Sequence, residues 1–144
     1  MSVHLHVRSC YTLLQSTMTI QKIVDSAKRY GYHAVALCDK EVMHGAMALY
    51  HMAKKADIQP IFGMDVEVAE EEGIFGFILL AKNDNGYQAL MKLSTMLNTK
   101  ERKEQLTMEE LLTYTKDCVV LTNGDQNQME TYLIKEEMEH LAAF

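Results

Sequence analysis

Apolar and polar positions alternate along the chain in a way that predicts short strands separated by amphipathic helices. Residues 3–8 read as a first strand, in which His4 and His6, two apart, share one face. Thr19 can cap a helix whose apolar positions Ile20, Ile23, Val24, Ala27 and Tyr30 recur by threes and fours. Gly31 supplies the left-handed residue that stops it. Residues 34–38 are wholly apolar, as in a strand buried on both faces, and Asp39-Lys40-Glu41 makes the turn at its end. A second helix presents Met43, Ala46, Met47, Tyr50 and Ala53. Pro60 opens a third strand over residues 61–68. A solvated turn, Glu70-Glu71-Glu72-Gly73, separates it from a fourth over 75–81, close enough to predict a hairpin. Asn83-Asp84-Asn85-Gly86 combines turn chemistry with a helix start, and the helix behind it buries Tyr87, Leu90, Met91, Ser94 and Leu97. Residues 100–105 form a charged connector. Thr107 and Glu110 fit a capping box opening a short helix through Leu111 and Leu112. Residues 118–121 are a fifth strand, Thr122-Asn123-Gly124-Asp125 its turn, and the tail from Gln128 is helical and polar on one side.

This order implies one α/β unit with a largely parallel sheet, without repeats or a domain boundary. Sites in such sheets lie at the carboxyl ends of strands. That places His6 to Ser9, Asp39-Lys40 and the Thr122 turn near one rim, joined by Asp65 if its strand points it inward. A net charge of −6 argues against nucleic-acid binding through a broad basic surface. Cys10, Cys38 and Cys118 are odd in number and far apart, which reads as reduced thiols of a cytoplasmic protein. No apolar run reaches transmembrane length and no signal-peptide h-region opens the chain. The 11 methionines sit mostly at helical core spacing and read as packing material.

His4 and His6 are a ready pair of imidazole ligands for Zn, Mn or Fe if their strand faces a pocket. Cys10 near them is a candidate thiolate nucleophile activated by His6, without an identifiable third group. Cys38 reads as apolar filler. His33, His44, His51 and His140 are scattered, and Lys54-Lys55 and Arg102-Lys103 are short basic surfaces flanked by acids. There is no Gly-rich phosphate loop and no Ser-His-Asp arrangement.

The run His4-Leu5-His6-Val7-Arg8-Ser9, followed by Tyr11-Thr12-Leu13-Leu14, resembles the opening motif of polymerase and histidinol phosphatase (PHP) domains. The resemblance continues through Ala36-Leu37-Cys38-Asp39, His44-Gly45-Ala46, Ala53-Lys54-Lys55-Ala56, Ile58, Pro60-Ile61 and Gly63. It goes on through Leu79-Leu80-Ala81-Lys82-Asn83 and Gly86-Tyr87-Gln88. In this succession the chain is similar to the PHP domains that open bacterial DNA polymerase III alpha subunits, most of all the short form of Gram-positive bacteria.

The resemblance implies part of a distorted PHP-type (β/α)7 barrel, with metal ions held by histidines and carboxylates at its C-terminal rim. Active members hydrolyse phosphoesters, some as 3′–5′ exonucleases, with metals that generate hydroxide and neutralise phosphate. Carried over residue by residue, His4 and His6 match ligands, and Asp65 stands for a glutamate after Gly63. Gln15, Lys40 and Gly76 replace three expected ligands, and Lys40 adds positive charge. The three remaining candidates, His4, His6 and Asp65, then form a vestigial site, with Zn or Mn as its metal if occupied. Alternatively, Lys40 fills the vacated position and pairs with Asp65.

Two functions follow from the resemblance. One is a non-catalytic PHP region of a replicative polymerase, meeting DNA only through that polymerase and contacting its remaining domains and other replisome proteins. The other is a metal-dependent phosphoesterase or 3′–5′ exonuclease with a reduced ligand set. An unrelated α/β metabolic enzyme explains the strand–helix order but not the motifs. Residues 1–144 are expected to be a single partial PHP domain without polymerase regions. Such a partial barrel is expected to self-associate through its exposed edges.

Overall fold

A computed structural model describes residues 3–71, 73–99 and 106–123. Its elements are α1 (Ile20–Arg29), β1 (Ala34–Lys40), α2 (Ala46–Lys55), β2 (Gln59–Glu70), β3 (Gly73–Ala81), α3 (Asp84–Asn98), α4 (Met108–Tyr114) and β4 (Cys118–Thr122). The four strands make one sheet in the order β1-β2-β3-β4. The fold is α/β, but the largely parallel sheet is corrected. β1 and β2 run parallel across α2, whereas β2–β3 and β3–β4 are antiparallel. α2 supplies the crossover that a parallel pair needs, β3 follows β2 through the expected hairpin turn closed by the Glu70–Gly73 pair, and β4 returns antiparallel to β3 after α3 and α4.

The local signals act as their chemistry requires. Thr19 accepts from the Lys22 N–H at the start of α1, and Gly31 follows with φ +70°. Asn83 caps α3 by accepting from the Gly86 N–H. Thr107 and Glu110 complete a reciprocal capping box at α4. Ile20, Ile23, Val24 and Ala27 of α1 pack with Leu49 and Ala53 of α2 and with Val35 and Leu37 of β1. Met64, Val66 and Val68 pack with Phe75, Phe77 and Leu79 under Leu90, Leu93 and Leu111 of the last two helices. Each fully buried Leu in these clusters contributes about 2 kcal/mol of transfer free energy.

Two predicted helix faces are rotated. Residues 43–45 precede α2, whose buried residues are Ala46, Leu49 and Ala53, leaving Met47 and Tyr50 exposed. On α3 Leu90 and Leu93 are buried while Met91 is exposed. Ser94 donates instead to the Glu41 carbonyl. The connector at 100–105, Gly124-Asp125, the tail from Gln128, Arg102-Lys103 and His140 lie outside the described residues.

The larger correction concerns residues 3–8, which do not form a regular strand. They run beside β1 with a single parallel bridge, His4 to Val35. The Ala36 N–H donates to the His4 carbonyl, and the Cys38 N–H donates to that of Val7. A regular parallel ladder would place the second acceptor at His6. One extra residue is therefore accommodated between His4 and Val7, and such a slip reverses the faces of everything beyond it.

Candidate functional site

The opposite face of the sheet carries small and aliphatic side chains: Ala36, Cys38, Ile78 and Leu80 are buried there. Gly63 belongs to this face, and a Cβ on it would fall 2.6 Å from the Cys38 Sγ, so the strands approach only because that side chain is absent. Two residues further along β2, Asp65 points to the same side. It is 1% exposed and paired in register with Lys40 of β1 and Ile78 of β3.

Asp65 is the centre of a dense cluster. The Arg8 guanidinium donates from Nε (3.0 Å) and Nη2 (2.5 Å) to its Oδ2. The His6 Nε2 lies 3.3 Å from the same oxygen. The Asn123 side-chain amide donates to Oδ1 at 3.1 Å and reaches Oδ2 at 3.3 Å. Burial alone would push the Asp65 carboxyl up; hydrogen bonds from His6 and Arg8, then their charge, outweigh it and hold it below its ordinary value.

The residues at the three replaced ligand positions each find another use. The Gln15 Oε1 accepts from the Arg8 Nη1 at 3.2 Å. Lys40 does not pair with Asp65, as the alternative reading expected. Its Nζ lies 2.6 Å from Glu67, the next residue of β2 on that face, while Arg8 takes the place beside Asp65. Gly76 stands opposite Glu67 in the hairpin, and a Cβ there would come 3.0 Å from the Asn123 Cβ. The Asn123 N–H donates to the Gly76 carbonyl, which seats its amide against Asp65.

His6 and Asp65 are thus brought together, with Arg8 between Asp65 and Gln15. His4 is not brought to them. Its ring lies 5.2 Å from that of Tyr32, and it lines an apolar cleft of about 350 Å³ with Val7, Met18, Ile23 and Val35. The register slip explains the division: His4 and Val7 face the α1 side, and His6 and Arg8 face Asp65. Among the described residues, no group of three or more His, Cys, Asp or Glu side chains could hold a metal ion. Arg8 shares its parity with His6, so the sequence carries a signal for its place beside Asp65. Asn123 carried no signal beyond its turn, because its role depends on the hairpin pairing.

A second buried carboxylate lies at the same rim. Asp39, also 1% exposed, accepts from the Ser9 N–H (2.6 Å), Ser9 Oγ (2.7 Å) and Thr12 Oγ1 (2.8 Å). It pins the loop after the first segment to the end of β1. Cys10 in that loop is exposed. Cys38 is buried and its Sγ donates to the Leu5 carbonyl at 3.3 Å. Burial, then Asp65 and Asp39, pushes its thiol up to about 12, so it is no nucleophile at neutral pH. His33, His44 and His51 are exposed, the last two beside Tyr11 and Tyr50.

The family model described as the PHP domain matches residues 4–143. The chain belongs to the PHP domain family. Proteins named DNA polymerase III subunit alpha are similar to it. That of Halalkalibacterium halodurans is 42% identical over 120 residues, covering 82% of this chain and 11% of the relative. The Bacillus subtilis protein is 37% identical over 134 residues, 91% and 12% of the two chains. The Rickettsia bellii protein is 37% identical over 146 residues, 99% and 12%. The PHP chain therefore spans about a tenth of the length of these relatives.

Two solved structures share the fold. An amidohydrolase from Chromobacterium violaceum, with bound sulfate and no metal, superposes with a TM-score of 0.53 at 20% identity, over 65% of this chain and 32% of its own. A protein from Bifidobacterium adolescentis described as a metal-dependent phosphoesterase gives 0.50 at 16% identity, over 80% and 43%. Among the described residues no helix is long and apolar enough to cross a membrane.

Proposed function

We propose that this chain is part of the N-terminal PHP domain of a bacterial replicative DNA polymerase III alpha subunit, serving as a structural and contact region rather than a hydrolase. The observation that carries the reading is the 37–42% identity to alpha subunits over 82–99% of the chain. His4, His6 and Asp65 are read as a vestige of a metal site, and at the positions that replace expected ligands Gln15 accepts from Arg8, Lys40 pairs with Glu67, and Gly76 leaves room for Asn123. On this reading the protein is cytoplasmic and DNA is met through the parent polymerase. Its partners are that polymerase's remaining domains and other replisome proteins. Leu13 and Leu14, 79% and 107% exposed at a loop tip where Leu14 has φ +63°, support a contact role, since two adjacent leucines in water gain from a partner surface. Self-association of the isolated chain through its exposed strand edges is a separate expectation, tested by sedimentation at high concentration.

The test is a chimera in which this chain replaces the corresponding residues of the Bacillus subtilis alpha subunit. Retained primer extension and an unchanged melting temperature are expected. A folded chimera that cannot extend primers would count against the reading. The alternative, a metal-dependent phosphoesterase or 3′–5′ exonuclease with Zn or Mn, is favoured by one observation, the meeting of His6 with Asp65. Assays of the untagged chain with either metal decide it, together with metal content by mass spectrometry on native protein and His6→Ala. No turnover and no near-stoichiometric metal are expected.

A further inference from the structure

Resting on the non-catalytic reading of this rim, we infer that Arg8 is its resident cation: the guanidinium occupies the position beside Asp65 that a divalent zinc or manganese ion would need, and the surrounding side chains are matched to a guanidinium. A dication needs converging lone pairs. Here Asp65 offers its lone pairs, but three donor nitrogens already point at them, Arg8 Nε and Nη2 and Asn123 Nδ2, with His6 Nε2 3.3 Å from the same carboxylate. Gln15, a neutral acceptor, takes a third Arg8 nitrogen, Nη1. Gly76 leaves the room in which the Asn123 amide stands. An amide N–H directed at the carboxylate repels a metal and suits a carboxylate already neutralised by arginine.

The physical need is plain. A carboxylate this buried requires a countercharge, and removing it from water uncompensated is costly. Guanidinium groups stay protonated in proteins and match a carboxylate with a planar fork. Arg8 therefore keeps the rim charged and closed without a metal pool. It also ties the irregular N-terminal segment to β2, the mechanical role a bridging ion would otherwise fill.

The experiment is zinc and manganese titration of the untagged, chelator-treated chain, read by competition with a metal-indicator dye and by melting temperature with and without metal. The variants are Arg8→His, Arg8→Lys, Arg8→Met and Arg8→His/His6→Ala. Wild type is expected to bind neither ion and to melt at one temperature in chelator or zinc. Arg8→His places two imidazoles at Asp65 and is expected to bind zinc at least tenfold more tightly than wild type, with a zinc-dependent rise in melting temperature. His6→Ala added to Arg8→His abolishes that gain. Arg8→Met is expected to melt lower and to stay zinc-insensitive, with Arg8→Lys between it and wild type.

A folded Arg8→His chain with no zinc gain overturns the inference, as does wild type that already holds stoichiometric metal. If Arg8→His does not fold, Arg8→Lys and Arg8→Met decide: melting temperatures equal to wild type in both overturn it, and the graded loss supports it. Failure here is distinguishable from failure of the functional reading. Metal-dependent hydrolysis by wild type, or a dead chimera, sinks the latter whatever Arg8→His does.

Discussion

Two buried aspartates lie on neighbouring strands of this sheet, Asp39 at the end of β1 and Asp65 within β2, and they are satisfied in opposite ways. Asp39 faces the α1 side and accepts only neutral donors, the Ser9 N–H and the Ser9 and Thr12 hydroxyls. Asp65 faces the other side and is held by a guanidinium, an imidazole and an amide. Both are fully buried, so exposure does not separate them. The difference lies in what each one holds in place. Three short hydrogen bonds fix a loop against β1 without bringing in a second charge. At Asp65 a cation, the Arg8 guanidinium, is built in, and Gln15, His6 and Asn123 complete the hydrogen-bonded cluster around the pair.

The largest expected effect comes from breaking the neutral side. Asp39→Ala strands the Ser9 N–H and two hydroxyls, all in buried residues, and is expected to cost about 3–4 kcal/mol in urea unfolding. Arg8→Met leaves Asp65 with His6 and Asn123 and should cost less, about 2–3 kcal/mol. A reversed order would show that the charge, rather than the number of hydrogen bonds, decides the cost.

Acid provides a finer test. Asp65 has its folded value held below the ordinary 3.8, so the stability it contributes is complete above 3.8 and lost as pH falls through the lower folded value. Thermal melts from pH 5 downward should therefore steepen below 3.8, and Asp65→Asn should flatten that slope; an unchanged slope would remove Asp65 from the account. The smallest effect is chemical. Cys38 lies between the two carboxylates, and at pH 8 a thiol reagent should modify it roughly 100-fold more slowly than exposed Cys10. Comparable rates, read by mass spectrometry of labelled peptides, would show that the rim opens readily.

Much of this molecule was legible in the chain. The 3.6-residue spacing of Ile20, Ile23, Val24 and Ala27 fixes α1, because only a helix puts them on one side, and Thr19, Asn83 and Thr107 mark their helix starts through local hydrogen bonds. The apolar run before Asp39 and the hairpin around Glu70 were legible for the same reason: the causes lie within a few residues. The motif succession pointed to the PHP family, and the rim placement of Ser9, Asp39 and the turn holding Asn123 followed from strand ends, whereas that of Asp65 depended on the face its strand turns inward. What the tertiary structure alone decided is which side chain meets which. Period two joins His4 to His6 only in a regular strand. One extra residue in the pairing with β1 sends His4 to Tyr32 and leaves His6 and Arg8 with Asp65. Lys40 is opposite Asp65 in register yet pairs with Glu67, because Arg8 already fills the nearer position. Register and competition among charges depend on chain segments far apart in sequence, so no local pattern carries them.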